Sequence, residues 1–488
     1  MPETTVIENA AWVVAWDGAG GGHTYLRGAD VAFAGDTLVH VGPGYDGPAE
    51  RRIDGADLFV LPGLIDVHSH PLSETMNKGF AEDVGNPRLG WSGLYDYMPA
   101  YGPDDAGKLA SAEVAYAELL LSGVTTLADL SGPYPGWLDL IAQSGLRACL
   151  APAFRSARWY TDNGHEVKYE WSEDGGRGAF REALDVVDRA LGHSSGRLSA
   201  MIMPSQVDTC TPELLRDARA AAEERDLPLQ IHAAQSLVEF HEITRRHGLT
   251  PIQWLESIGF LAPRAIVAHA IFLDSHSWIS WGTNVDLDIL AASGASVAHC
   301  PNNFLRHGMV LESFARYRDA GVNIGIGTDT FPHNMIEELR ITALLGRIQP
   351  RSLDGARTAQ VFEAATLGGA RLLGRDDIGR LAPGAKADLV LVDLEHPAMK
   401  PLRDPLRSLI FTAAERAVRH VYVGGEQVVR DGRVLTLDHE GALGRLEEAR
   451  ERAEARVPEL DWDGRTGEEL SPLSLPVADG HKSARFGP

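Results

Sequence analysis

The sequence predicts an α/β protein: a (β/α)8 TIM barrel with a small composite β-sandwich domain built from both chain ends. Three observations carry that reading. Short, nearly continuous apolar runs alternate with helical stretches through the middle of the chain, as parallel strands covered by helices require. Both ends instead show short strands broken by glycine turns. Histidines and one aspartate fall repeatedly where the apolar runs finish, the position at which barrels carry their sites.

Residues 1–60 contain AAWVVAW and GADVAFAGDTLVHVG, β-branched and small residues broken by Gly-Asp in the manner of hairpins. The texture returns in KADLVLVDL (386–394) and AVRHVYVGGEQVVRDGRV (417–434). Neither segment can bury a face alone, so the two are expected to pair outside the central domain. Between them lie LFVLPGLIDVHSH (58–70), VTTLADL (124–130), RACLAPAF (147–154) and LSAMIMPSQ (198–206), then LPLQIHAAQ (227–235), AIVAHAIFL (265–273), ASVAHCPNN (295–303) and NIGIGTDTF (323–331). Eight such runs with intervening helices close a barrel; periodicity alone also fits an open doubly wound sheet. Among the helices, TPELLRDARAAAEERD (211–226) offers Thr211 as cap and Pro212 at the first helical position. The expected parts are residues 1–60 and 384–436 for the sandwich, 61–383 for the barrel, and 437–488 for a charged helix and a Pro/Gly-rich tail. That tail reads as a subunit contact or a loose end.

With 44% hydrophobic and 23% charged residues over 488 positions, the chain has the make-up of a soluble globular protein. Lys+Arg 45 against Asp+Glu 68 gives a net charge of −23. So acidic a surface repels phosphate backbones and anionic lipid, which leaves a small molecule as the expected partner rather than nucleic acid or membrane. No run approaches the roughly 18 apolar residues of a membrane span. MPETTVIENA has neither the basic region nor the apolar core of a secretory signal. Cys149, Cys210 and Cys300 are too widely spaced for a disulfide framework or a CxxC knuckle. A cytoplasmic location is expected.

The chemistry gathers at the strand ends. His68 and His70 are spaced i, i+2, which on a strand puts both imidazoles on one face. His232 ends the fifth run, His269 the sixth, His299 the seventh and Asp329 the eighth. Any one of these histidines is more commonly a satisfied core group than a ligand. Converging on one barrel mouth, they make a divalent metal site, with nitrogens about 2.0–2.1 Å from a zinc ion. A second metal would need a bridging anion such as a carbamylated lysine on the fourth strand. Every lysine (Lys78, Lys108, Lys168, Lys386, Lys400, Lys482) lies outside the expected barrel strands, which argues for one metal per chain.

Taken in this order, VLPGLIDVHSH, QIHAAQ, VAHA, VAHCPNN, GIGTD and LAPGAKADLVLVD resemble the amidohydrolase superfamily over residues 5–435. Within it they are similar to the group holding atrazine chlorohydrolase, hydroxyatrazine hydrolase and cytosine- and guanine-type deaminases. The resemblance implies a mononuclear hydrolase with His68, His70, His232 and Asp329 as ligands and His269 beside the metal water. It also implies a homo-oligomer, a dimer or tetramer. Zinc is the first choice of metal; iron, cobalt and manganese suit the same donors. At one place the chain departs from the pattern. Deaminases of the group carry a glutamate three residues after the fifth-strand histidine, and here that position is Gln235, an amide with no titrating proton. PSQVDTCTPELL, HAAQS and GTDTFPHNMIEELR look closer to the branch with phenylurea and molinate hydrolases.

The expected reaction is therefore hydrolysis of a urea-, carbamate- or amide-type carbon–nitrogen bond. The metal brings its water's pKa towards 7, Asp329 moves the proton, and His269 hydrogen-bonds the oxyanion. Gln235 orients the substrate, and His299 either assists or is structural. Deamination or dechlorination of an N-heterocycle (triazine, purine or pyrimidine) is the alternative. A non-catalytic oligomeric relative is the third reading, disfavoured because the ligands are intact. Arg155, His333 and Trp91 are candidate substrate contacts, and Asp129 a loop anchor. Aromatics crowd the loops after the first, third and sixth strands (Trp91, Tyr95, Tyr97, Tyr101; Trp159, Tyr160, Tyr169, Trp171; Trp278, Trp281). Most should pack the rim; as a group they point to an apolar or aromatic substrate. Residues 71–101 are a candidate lid.

Overall fold

The computed structural model describes residues 3–477. Eight short parallel strands, each followed by helix, run through its centre. Leu64–Ser69, Val124–Asp129, Arg147–Leu150 and Leu198–Ala200 pair in that order. Leu229–Ala233, Ala265–His269, Ser296–His299 and Ile324–Ile326 form a second parallel set. Bridges Ile202–Leu229 and Gln206–His232 join the two sets on one side, and Ser69–Asp329 joins them on the other. The strands are buried on both faces, which is why they read as unbroken apolar runs. The helix Pro212–Arg225 begins as expected: Thr211 Oγ1 accepts from the Leu214 amide at 3.2 Å, with Pro212 in the first turn.

The chain ends build two further sheets. One orders Thr37–Gly42, Ala29–Ala34, Thr4–Ala10 and Arg51–Asp54. The other has seven strands, in the order Arg433–Val434, Glu426–Arg430, Val418–Val423, Leu389–Asp393, Leu58–Pro62, Trp12–Asp17 and Gly22–Leu26. The two share a core of Ile7, Val31, Phe33, Val60, Leu389 and Tyr422. The run 58–70, expected to enter the barrel as one strand, is two: Leu58–Pro62 pairs with Leu389–Asp393, and Leu64–Ser69 is the first of the central parallel strands. Gly63 makes the transfer; a Cβ there would sit 1.9 Å from Thr125 Oγ1. Across the same junction the buried Arg147 meets Asp388 in a two-point ion pair, Nε–Oδ2 3.0 Å and the second nitrogen to Oδ1 3.1 Å.

Beyond the last strand, His439–Leu460 forms the charged helix. Its small and apolar residues Ala442, Leu446, Ala449, Ala453 and Val457 recur at helical spacing and pack on Ala110 and Val114 of the helix Asp105–Leu121. The final tail expected as a contact or loose end reaches past residue 477, outside the described residues. Among those described, no helix is long and apolar enough to cross a membrane.

Candidate metal centre and its cavity

Three of the strand-end histidines, His68, His70 and His232, are each fixed by a hydrogen bond at Nδ1. His70 donates to the Leu130 carbonyl at 2.7 Å and His232 to the Ser205 carbonyl at 2.6 Å. Gln230 donates to the Val67 carbonyl, so its Oε1 faces His68 and accepts from Nδ1 there. All three Nε2 atoms are then lone-pair acceptors, and they converge. His70 Nε2 lies 3.3 Å from His232 Nε2, and both His68 Nε2 and His70 Nε2 lie 3.4 Å from Asp329 Oδ1. Lone pairs and a carboxylate so placed repel unless a cation sits among them. His68 Nε2, buried, has no hydrogen-bond partner among the described residues. The ligand atoms of His68, His70 and His232 fall within 4.8 Å of one another, as do those of His68, His269, Cys300 and Asp329. This donor set fits a divalent metal, and carbonyl-oriented imidazoles are the usual support of such ligands.

Burial, with like-charge crowding, lowers His70 to about 4 and His232 well below its ordinary value, so both stay neutral as ligation requires. Burial also lowers His269, to about 3. Burial alone would raise the Asp329 carboxyl; the surrounding imidazoles outweigh it and hold Asp329 well below the carboxylate range. Asp329 Oδ2 accepts from Asn303 Nδ2 at 2.6 Å, and Asn303 Oδ1 accepts from Arg306 at 3.3 Å. His269 Nε2 is 3.9 Å from that same Oδ2. Asp66 ties the first strand to the eighth: its Oδ1 accepts from the His68 and Thr328 amides, and its Oδ2 from Thr328 Oγ1 at 2.7 Å. Ala234, His269, Ala270 and Asp329 all have positive φ (55°, 77°, 45° and 61°). Strained backbone gathered at three strand ends marks a site whose geometry the surroundings enforce.

The metal-facing groups floor a cavity of about 630 Å³, the size of a small-molecule site. Its wall carries Leu72, Tyr97, Met98, Trp159, Phe304 and Phe331, an apolar and aromatic surface. Gln235 lines it with a buried Nε2 that has no partner among the described residues. Behind, Glu239 accepts from the Ala234 and Gln235 amides and fixes the turn. Arg155 reaches the cavity as expected; Trp91 and His333 do not line it. Trp91 is 53% exposed, and His333 is buried against Ser69 Oγ and Thr328 Oγ1, which makes it a structural histidine. His299 is buried, lowered to about 4 by that burial, and lies outside the cavity lining. Asp129 anchors Tyr116, Ser131 and Trp137. Glu74, Asn303 and Arg306 were not singled out from sequence, yet all three line the cavity. Burial raises Glu74 to about 7. A carboxyl four residues past HxH was the available signal for it.

Alternating parallel strands and helices, with histidines and an aspartate converging at the strand ends as a donor set for a divalent metal, are the architecture of a metal-dependent hydrolase. The sequence profile of the Amidohydrolase family matches residues 59–428, and the chain belongs to that family. It is 33% identical to a 5-methylthioadenosine/S-adenosylhomocysteine deaminase of Halobacterium salinarum, over 87% of this chain and 94% of that one. It is 29% identical to a 5'-deoxyadenosine deaminase of Methanothermobacter thermautotrophicus, over 85% and 90%. An adenosine deaminase from Xanthomonas campestris with bound zinc superposes with a TM-score of 0.76 at 24% identity, covering 93% of this chain and all of that one. The zinc complex of an atrazine chlorohydrolase from Arthrobacter aurescens gives 0.74 at 22%, over 93% and 100%. At such identities these two likenesses speak for the fold. The protein is a metal-dependent amidohydrolase acting on carbon–nitrogen bonds other than peptide bonds. The relatives named are ring deaminases, so the comparisons favour the N-heterocycle alternative over the expected urea or carbamate chemistry.

Proposed function

We propose that this enzyme deaminates an amino-substituted N-heterocycle of the adenosine type. The barrel is read as closed through the three bridges, the end-built sheets as its companion sandwich domain, and the parts as residues 1–60, 61–383, 384–436 and 437–488. The observation that carries the function is the 33% identity, over 87% of this chain, to a 5-methylthioadenosine/S-adenosylhomocysteine deaminase. His68, His70, His232 and Asp329 would hold one divalent ion, zinc by first choice. When bound, the ion supplies Lewis acidity, which brings the pKa of water towards neutrality.

The chain's own groups do the rest. Asp329 Oδ2, steadied by Asn303, takes a proton from water and returns it to the departing nitrogen. His269 hydrogen-bonds charge developing on the attacked centre. Gln235 Nε2, unpartnered among the described residues, donates to a ring or leaving-group acceptor and so orients the substrate. The apolar wall holds the ring and excludes water. Gln235 also supports a second reading, hydrolysis of a urea or carbamate, because a carboxamide cannot protonate a ring nitrogen.

The test is product release from zinc-loaded enzyme. Ammonia from 5′-methylthioadenosine, adenosine or an aminotriazine is expected. Amine release from phenylureas without ammonia from any ring would overturn the proposal in favour of the second reading. Protein purified without chelator should carry about one metal per chain and elute as a homo-oligomer.

A further inference from the structure

The segment after the last long helix does not end idly on the surface. Trp462 Nε1 donates to Asp96 Oδ1 at 2.7 Å, and the Arg465 guanidinium donates to the same oxygen at 2.7 Å. Arg465 also lies over the Trp462 ring at 5.1 Å and is held by both oxygens of Asp461. Ser471 Oγ donates to the Phe80 carbonyl at 2.6 Å, and Leu470 joins the apolar cluster with Phe80, Ala81, Tyr97 and Tyr101. Thus the loop after the first barrel strand is gripped at residue 80 and again at residue 96.

A second loop is caught in the same grip. A Cβ on Gly164 would lie 2.7 Å from the Trp462 ring, so the indole rests on that backbone. Asn86 Nδ2 bridges the two loops, donating to the Gly164 carbonyl at 2.7 Å and to Asp96 Oδ2 at 3.0 Å. Gly164 belongs to the connection of the hairpin Ala157–Tyr160/Lys168–Trp171. These loops are the cavity's wall: Tyr97 flanks Asp96 and lines it, Trp159 lines it from the hairpin, and Tyr95 packs edge-on against Trp159 with ring centres 5.1 Å apart.

We propose that residues 461–471 form a strap that fixes the shape of the substrate cavity, with Trp462 and Arg465 acting as positioning residues through Asp96. Neither touches the metal-facing groups, so the strap governs how tightly a substrate is held rather than the chemical step. The inference rests on the cavity being the active site.

The full-length enzyme and a Trp462→Ala/Arg465→Ala variant are compared by hydrogen–deuterium exchange and by kinetics on 5′-methylthioadenosine, both zinc-loaded. Exchange should quicken at least tenfold in residues 80–100 and 157–169 while the barrel strands keep their protection. KM should rise about fivefold or more with kcat within twofold and zinc content unchanged. Asp96→Asn, which keeps the shape and loses the charge, should shift exchange in the same loops to a lesser degree, and it stands in if the double variant fails to fold. Unchanged exchange in both loops would overturn the strap, as would a fall in kcat with KM unmoved. If the wild-type enzyme releases no ammonia, the deaminase proposal fails on its own, and exchange still decides the strap.

Discussion

Asn303 offers the sharpest test of the metal centre. Its Nδ2 donates to Asp329 Oδ2 at 2.6 Å, leaving Oδ1 to face His68 and His70. In Asn303→Ala, one hydrogen bond to a buried carboxylate disappears. Bonds to charged groups contribute about 1.5–3 kcal/mol. At about 1.36 kcal/mol per decade, that predicts a loss of about 10- to 150-fold in kcat/KM if the bond matters fully in the transition state. Outer supports of metal ligands typically cost about 10–100-fold when removed, which agrees. The assay is kcat/KM on whichever substrate turns over, with zinc measured on the same sample and its release timed in excess chelator. Faster zinc release should accompany the loss. Turnover within twofold of wild type, with zinc release unchanged, would refute the assignment of Asp329 as a ligand oriented through Oδ2.

Further outcomes follow from the same geometry. Gln235→Glu places a titrating carboxyl in the cavity; general acid catalysis is worth about 10²–10⁴-fold, so ring deamination should rise at least tenfold, and a fall in ammonia release would refute it. Asp388→Ala strands the buried Arg147 where the central strands meet the seven-stranded sheet and should cost about 3–5 kcal/mol in urea unfolding; a loss under 1 kcal/mol would contradict that reading. His23 and His299 are lowered by burial to about 4 from 6.5. Above pH 6.5 both are neutral folded or unfolded. Below it the unfolded chain takes up protons that the fold refuses, so stability should fall from pH 6.5 to about 4. A flat urea midpoint across that window, or no shallower slope in His23→Gln, would contradict the assignment.

The histidines and Asp329 proposed as metal ligands were legible because each closes an apolar strand, and the ends of parallel strands lie on one side of the sheet. The outer layer was less so. Asn303 and Arg306 sit in a short helical turn after the seventh strand, and only the folded chain shows that Asn303 reaches Asp329. Glu74 opens a one-turn 3-10 helix, Glu74–Asn77, in a connection whose path no periodicity fixes. His333 follows a strand end as His269 does, yet the chain turns it inward onto Ser69. The single run 58–70 hides two strands because both neighbours are buried, and hydropathy alone cannot mark where one sheet hands over to another. Gly63, where Thr125 leaves no room for a Cβ, was the only local sign.

The pairing of Leu58–Pro62 with Leu389–Asp393 has a consequence for biosynthesis. A ribosome adding about 5–20 residues per second needs about 15–65 s to traverse the roughly 330 residues between these partners. Throughout that interval the amino-terminal strands exist as nascent chain with an open, hydrophobic edge. The central parallel strands can gather while they wait, but the seven-stranded sheet can close only once the far segment has emerged. Chaperone occupancy should therefore concentrate on the first sixty residues, and stalled or shortened products should aggregate through them rather than through the central parallel strands.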